Sequence, residues 1–194
     1  MTIKEIKDVI LPYIDEPVIN FEIEKNIFAE FGGREKFNQT IRKNVKAKFG
    51  VYVWVDKKTA EILYIGMAGK IKTDGSLGDH SIQNRLLASR GKDKVSKKDI
   101  KTNDYLSNFM TQNEIDFLDI FIMYSKKDEP PAYIEALLLY KYYKKNNKLP
   151  RLNNSFWQTK KPAHNRGFAS GGVSCFVWNF SAKIKICALY EHLY

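Results

Sequence analysis

Two short stretches decide the reading of this chain: Gly50-Val-Tyr-Val-Trp-Val55 and Glu61-Ile-Leu-Tyr-Ile-Gly66. Both are dense in β-branched and aromatic residues, the types that fit a pleated, half-buried surface. Between them runs Asp56-Lys-Lys-Thr-Ala60, which is polar and turn-like. Two β-prone runs around a short polar loop predict a β-hairpin. Gly50 and Gly66 flank it, and glycine in a strand marks a site where another backbone or a ligand comes close. Tyr52 lies near the start of the first strand and Tyr64 near the end of the second. In antiparallel pairing the two phenols are expected at the same end of the hairpin.

Working outward, residues 34–48 place Phe37, Ile41 and Val45 at four-residue steps, with Arg42, Lys43 and Lys46 among the cations between them. That spacing predicts an amphipathic helix with a cationic outer face. Ile3, Ile6 and Ile10 predict a helix within residues 2–14, stopped near Pro12, and residues 18–24 alternate like a short strand. After the hairpin, Gly69, Gly75 and Gly78 mark a loop that includes Lys70, and Ser81 is placed to cap a helix running to about Arg90. The lysines of residues 91–101 suggest a basic loop. Residues 115–124 predict a third strand. Pro130 and Pro131 open a long helix to about Asn146, since proline is welcome in a first turn. Residues 173–180 and 184–190 suggest two further strands, with a helix as the rival for the last. The core order is strand, strand, helix, strand, helix. This is an α+β fold: a small three-stranded antiparallel sheet that needs helices to cover its faces. The expected organisation is one compact domain overall, with a helical extension over residues 1–48, a core over 49–155, and a basic extension over 156–194.

At 194 residues the chain can bury a core without metal or disulfide staples. No apolar run reaches membrane-span length. The first residues carry acids and no signal-like apolar stretch, so a cytoplasmic location is expected. Cys175 and Cys187 form no CxxC and read as buried free thiols. His80, His164 and His192 are too scattered for a zinc site or a catalytic triad. The net charge of +10 is concentrated: residues 136–194 hold ten Lys and Arg and a single acid, Glu191. A one-sided basic segment points to a polyanionic partner.

Three further residues stand out. Arg85 lies beside the packing face of the predicted 81–90 helix, with Arg90 as its rival. Glu135 sits in Pro131-Ala-Tyr-Ile-Glu-Ala-Leu-Leu-Leu-Tyr140, and no Lys or Arg stands three or four residues away to pair with it. A carboxylate among apolar neighbours calls for a metal ion or an arginine from another element. Asn153 follows Pro150-Arg-Leu, where its amide can fix a loop or a phosphate.

Together these residues resemble the GIY-YIG nuclease superfamily. Gly50-Val-Tyr52, eleven intervening residues, then Tyr64-Ile-Gly66 are similar to its paired motif. Arg85, Glu135 and Asn153 follow in the family's order, and the resemblance covers about residues 49–155. Val51 replaces the central isoleucine of the first triplet, and Ser89 stands where some members carry a histidine. The resemblance implies a metal-dependent phosphodiesterase acting on double-stranded DNA. Glu135 would bind one Mg²⁺ or Mn²⁺ and Arg85 would grip the scissile phosphate. Tyr52 is the candidate general base, with Tyr64 ordering the water, or the two roles are exchanged. An ordinary phenol, with a pKa near 10, must be held lower by nearby cations to act at neutral pH.

Within the superfamily the chain looks most like the compact restriction endonucleases, whose flanks supply recognition. Residues 1–48 are then expected to contact DNA, and residues 156–194 to serve DNA recognition or dimerisation. Lys160, Lys161 and Arg166, with the mixed side chains around them, suit reading base edges in a groove. Cutting both strands with one metal carboxylate per chain implies a homodimer. The alternatives are a repair or recombination nuclease acting on structured DNA and a DNA-binding module of the same fold without catalysis.

Overall fold

The computed structural model describes residues 1–76, 78, 80–92 and 98–153. In chain order the elements are α1 (Ile3–Ile10), β1 (Ile19–Glu24), α2 (Gly33–Asn44), β2 (Gly50–Asp56), β3 (Ile62–Ala68), α3 (Ile82–Leu87), β4 (Ser89–Lys92), β5 (Asp99–Lys101), α4 (Thr102–Gln112), β6 (Phe117–Tyr124) and α5 (Pro131–Asn146).

The hairpin forms where the sequence places it. Asp56 closes its turn, its carboxylate accepting from the Lys58 amide at 3.0 Å and the Thr59 hydroxyl at 2.6 Å. Ala60 completes the reversal at a positive φ of 57°. β2 pairs antiparallel with β3 on one side and with β6 on the other. All seven residues of β2 are buried, which explains why the strand reads as a nearly continuous apolar run.

The sheet has four strands rather than three, in the order β1-β6-β2-β3. β1 pairs antiparallel with β6, from Ile19 opposite Ile122 to Glu24 opposite Phe117. Without it β6 would present an open row of amides and carbonyls, a liability that sheets cover. Residues 1–48 thus supply a strand of the sheet and helices to both of its faces. Met1–Asn153 make one compact unit in which Ile6, Ile10 and Ile23 are core residues.

Side-chain alternation splits the core in two. Tyr52, Trp54 and Tyr64 face Phe37 and Ile41 of α2, Ile82 and Leu86 of α3, and Leu106 and Met110 of α4. Val51, Val53 and Ile65 face Ile6 and Ile10 of α1, and Ile134, Leu138 and Tyr142 of α5. Helices thus cover both faces, as a sheet with two apolar faces requires.

Two helix ends differ from expectation, and one helix is additional. α2 ends at Asn44, not residue 48, because Val45 turns extended (φ −119°, ψ 122°) to lead into β2 while remaining buried. α3 does start at the Ser81 cap, whose hydroxyl accepts from the Asn84 amide at 3.2 Å. It stops at Leu87, because Ala88 is extended and opens the antiparallel ribbon of β4 and β5. Part of the expected basic loop is therefore strand. α4 was not anticipated: only Leu106 and Met110, four apart, are fully buried apolar residues on it, and the sequence around them is polar. The strands expected at 173–180 and 184–190, with Cys175 and Cys187, lie outside the described residues.

Gly50 shows what the sheet demands of its first triplet. Its φ is 149°, and a Cβ there would lie 2.1 Å from the Met123 carbonyl oxygen, on backbone that cannot yield without breaking the β2–β6 pairing. Gly50→Ala is expected to destabilise the fold by about 2–4 kcal/mol, through backbone strain and overpacking combined. Urea unfolding followed by circular dichroism checks this; a loss below about 1 kcal/mol would mean that β6 can move aside.

Candidate active site

The two motif tyrosines meet, but as diagonal neighbours. Tyr52 stands opposite Gly66 and Tyr64 opposite Trp54. All three rings share one face, with the Tyr52 and Tyr64 centroids 5.8 Å apart and Trp54 4.9 Å from Tyr64. Both tyrosines are buried, Tyr52 1% exposed and Tyr64 6%. Trp54 was not singled out from the sequence, although its two-residue spacing from Tyr52 puts it on the same face.

Gly66 explains the second triplet. The Tyr64 ring lies across it, so that a Cβ on Gly66 would fall 2.4 Å from a ring carbon and 2.8 Å from the phenolic oxygen. The missing side chain is the bed for the ring, and it aims the Tyr64 hydroxyl toward the end of the sheet where Ala68, Gly50 and Tyr124 lie side by side. One residue thus sets the direction of a polar group that packing alone would leave in the core.

Asn153 secures the same strand. Its Oδ1 accepts from the Ile65 amide at 3.0 Å, and its Nδ2 donates to the Ile65 carbonyl at 2.7 Å. β3 is an edge strand, and this one side chain pairs with both polar groups of a residue on its outer side. The chain crosses that edge after α5: Leu138 packs on the valine face, whereas Leu152 joins the tyrosine face. Asn153 is therefore a positioning residue for the hairpin, with its amide occupied by backbone rather than turned to a ligand.

Arg85 is exposed on α3, whose Ile82 and Leu86 pack on the tyrosine face. No carboxylate among the described residues forms an ion pair with it. Arg90 lies in β4, which leaves Arg85 as the arginine of this helix. Glu135 is half-buried, one position along from Ile134, on the helix that covers the other face. The structure thus brings Tyr52 and Tyr64 together and ties Asn153 to Ile65, the residue after Tyr64, while Arg85 is exposed on a helix that packs on the tyrosine face and Glu135 belongs to the helix on the opposite face. Only six residues separate the end of β6 from the start of α5, so Glu135 in its second turn lies toward the end of the sheet where β6 finishes.

Of the other expected nucleic-acid contacts, Arg42, Lys43 and Lys70 are exposed. Lys46 is also exposed, but it is paired with Glu16 at 2.7 Å. Lys160, Lys161 and Arg166 lie outside the described residues.

Compared with known proteins, the chain matches no family model, no curated protein and no solved structure.

The dependence of Tyr64 on Gly66 is testable by a double-mutant cycle. Gly66→Ala alone is expected to cost roughly 1–3 kcal/mol through overpacking. In a Tyr64→Ala background the ring is gone and the added methyl has room, so its cost should fall by about 1 kcal/mol or more. Additive losses in urea unfolding would show that the ring does not rest on Gly66.

Proposed function

We propose that the chain is a divalent-metal-dependent DNA endonuclease of the GIY-YIG type, of the restriction class and acting as a homodimer. The observation that carries this reading is the pairing of Tyr52 and Tyr64 around a glycine whose missing side chain admits the Tyr64 ring. The glycine that admits the Tyr64 ring also directs its hydroxyl toward the strand ends, the orientation that this reading requires. Further support comes from Arg85, an exposed cation on the helix packed over the tyrosines.

In this reading Arg85 binds the non-bridging oxygens of the scissile phosphate. The guanidinium is suited to that task because its planar fork of donors matches two oxygens at once. Tyr52 takes the proton from the attacking water, and Tyr64 holds that water or the phosphate. Asn153 keeps β3 in register, so that the two phenols stay at their spacing.

Glu135 would hold the metal. Among the described residues no group of three or more His, Cys, Asp or Glu stands together, and this reading assigns the metal one protein carboxylate. That suits a hard cation such as Mg²⁺ or Mn²⁺, which keeps several waters and takes further oxygens from the substrate. A bound ion supplies charge neutralisation at phosphorus and stabilises the departing oxygen.

The rival reading, a DNA-binding module without catalysis, draws on the burial of both phenols and on the seat of α5 on the valine face. Two variants separate the readings. Glu135→Gln keeps the shape and removes the anionic ligand, so Mg²⁺-dependent cleavage of plasmid DNA should vanish while folding and DNA binding persist. Tyr52→Phe keeps the ring and removes the proton acceptor, so single-turnover cleavage should slow by roughly 10²–10⁴-fold with binding unchanged. Wild-type protein that binds duplex DNA yet never cuts it would establish the binding-module reading.

A further inference from the structure

The segment that leads into β2 is pinned before it reaches the sheet. The Lys46 amide donates to the Tyr124 hydroxyl at 2.6 Å. The Val45 carbonyl accepts from the Gln83 amide group at 2.6 Å, and the Lys48 carbonyl accepts from the Ile82 amide at 2.9 Å. The Lys48 amide closes a turn on the Lys46 carbonyl at 2.9 Å. Residues 45–48 are thus tied to β6 on one side and to the first turn of α3, the helix of Arg85, on the other.

From this braced turn two lysines project to one carboxylate. Lys46 donates to one oxygen of Glu16 at 2.7 Å, and Lys48 donates to the other. The lysine side chains are 58% and 54% exposed, while Glu16 is 22% exposed. The two lysines hold the Glu16 carboxyl below the usual carboxylate range, Lys46 first.

A carboxylate with one charge and two oxygens, each taken by a separate ammonium, has the donor demand of a phosphodiester with its one charge and two non-bridging oxygens. We propose that Lys46 and Lys48 form a binding site for one phosphate of duplex DNA, and that Glu16 occupies it in the free protein as a phosphate mimic displaced on binding. Exposed ion pairs are weak, so release of Glu16 opposes binding little. A polyanion brings the added gain of counterion release, which a single carboxylate lacks. The site lies beside the start of β2 and α3, which places this phosphate on the flank of the one that Arg85 would grip. Glu16 would set a threshold: it weakens contact with any lone anion and yields to the DNA backbone. The inference rests on the nuclease reading for its choice of DNA as the polyanion.

Fluorescence anisotropy with a labelled duplex, in EDTA to prevent cleavage and over a range of salt, tests it. Glu16→Gln should tighten binding by roughly two- to fivefold at low salt, the range expected when an exposed competing charge is removed. The salt slope should keep the phosphate's contribution of about 0.9. Lys46→Ala with Lys48→Ala should weaken binding, reduce the slope by about that amount and abolish the gain from Glu16→Gln in the triple variant. If the wild-type protein binds duplex DNA but Glu16→Gln leaves affinity unchanged, or its gain persists without the lysines, the mimic is overturned and the nuclease reading stands. If the wild-type protein binds no duplex at any salt, both are overturned.

Discussion

The structure depends on a strand that is paired on both edges and covered on both faces. β2 has β6 on one side, β3 on the other, α2 and α3 above and α5 below, so each of its residues answers to a fixed neighbour. Gly50 is the sharpest case, because the Met123 carbonyl occupies the space of its Cβ. A strand so enclosed cannot slip. Displacing it by one residue would exchange the valine face for the tyrosine face and drive Tyr52 and Trp54 among the α1 and α5 contacts. The fixed register sets the spacing of the two phenols in the core, since the position of each ring is inherited from the backbone.

Burial and polarity conflict on the tyrosine face, and the conflict is resolved at the end of the sheet. A phenol oxygen left in an apolar core without a partner is costly. Tyr124 meets that cost by accepting the Lys46 amide. Tyr64 is turned by Gly66 toward the same end of the sheet. The hydroxyls therefore do more than avoid a penalty. Tyr124 fixes the turn that carries Lys46 and Lys48, so a core aromatic sets the posture of surface cations.

The hairpin, the two prolines opening α5 and the Ser81 cap were legible because each is a local signal. Residues a few positions apart declare a turn, a first turn or a cap. The fourth strand was visible only as a short alternation, and nothing local says that Ile19–Glu24 joins β6 almost a hundred residues on. α3 ended early because ribbon pairing of Ser89 overrode a helical pattern that ran on to Arg90. Asn153 had the look of a turn residue, and its grip on Ile65 spans 88 residues of sequence. Glu16 carried no signal at all, since its two lysines lie 30 and 32 residues further along. What the sequence concealed in each case was a pairing partner, not a propensity.

The faces of the sheet also set a condition on any catalysis. Tyr52 and Tyr64 lie on the tyrosine face and Arg85 on a helix packed against it, whereas Glu135 rides on a helix anchored by Ile134 and Leu138 to the valine face. On the proposed reading, a carboxylate and a phenol so separated would serve one phosphate around the end or the outer edge of β3, the edge strand of the sheet. That edge is where Asn153 holds Ile65 by both polar groups. If β3 frayed, the distance between the two halves of the site would change with it. The same two hydrogen bonds that close the sheet edge would, on the proposed nuclease reading, also keep both halves of the site within reach of one substrate. A structural amide and the requirement of that proposed chemistry would then fall on one residue for the same geometric reason.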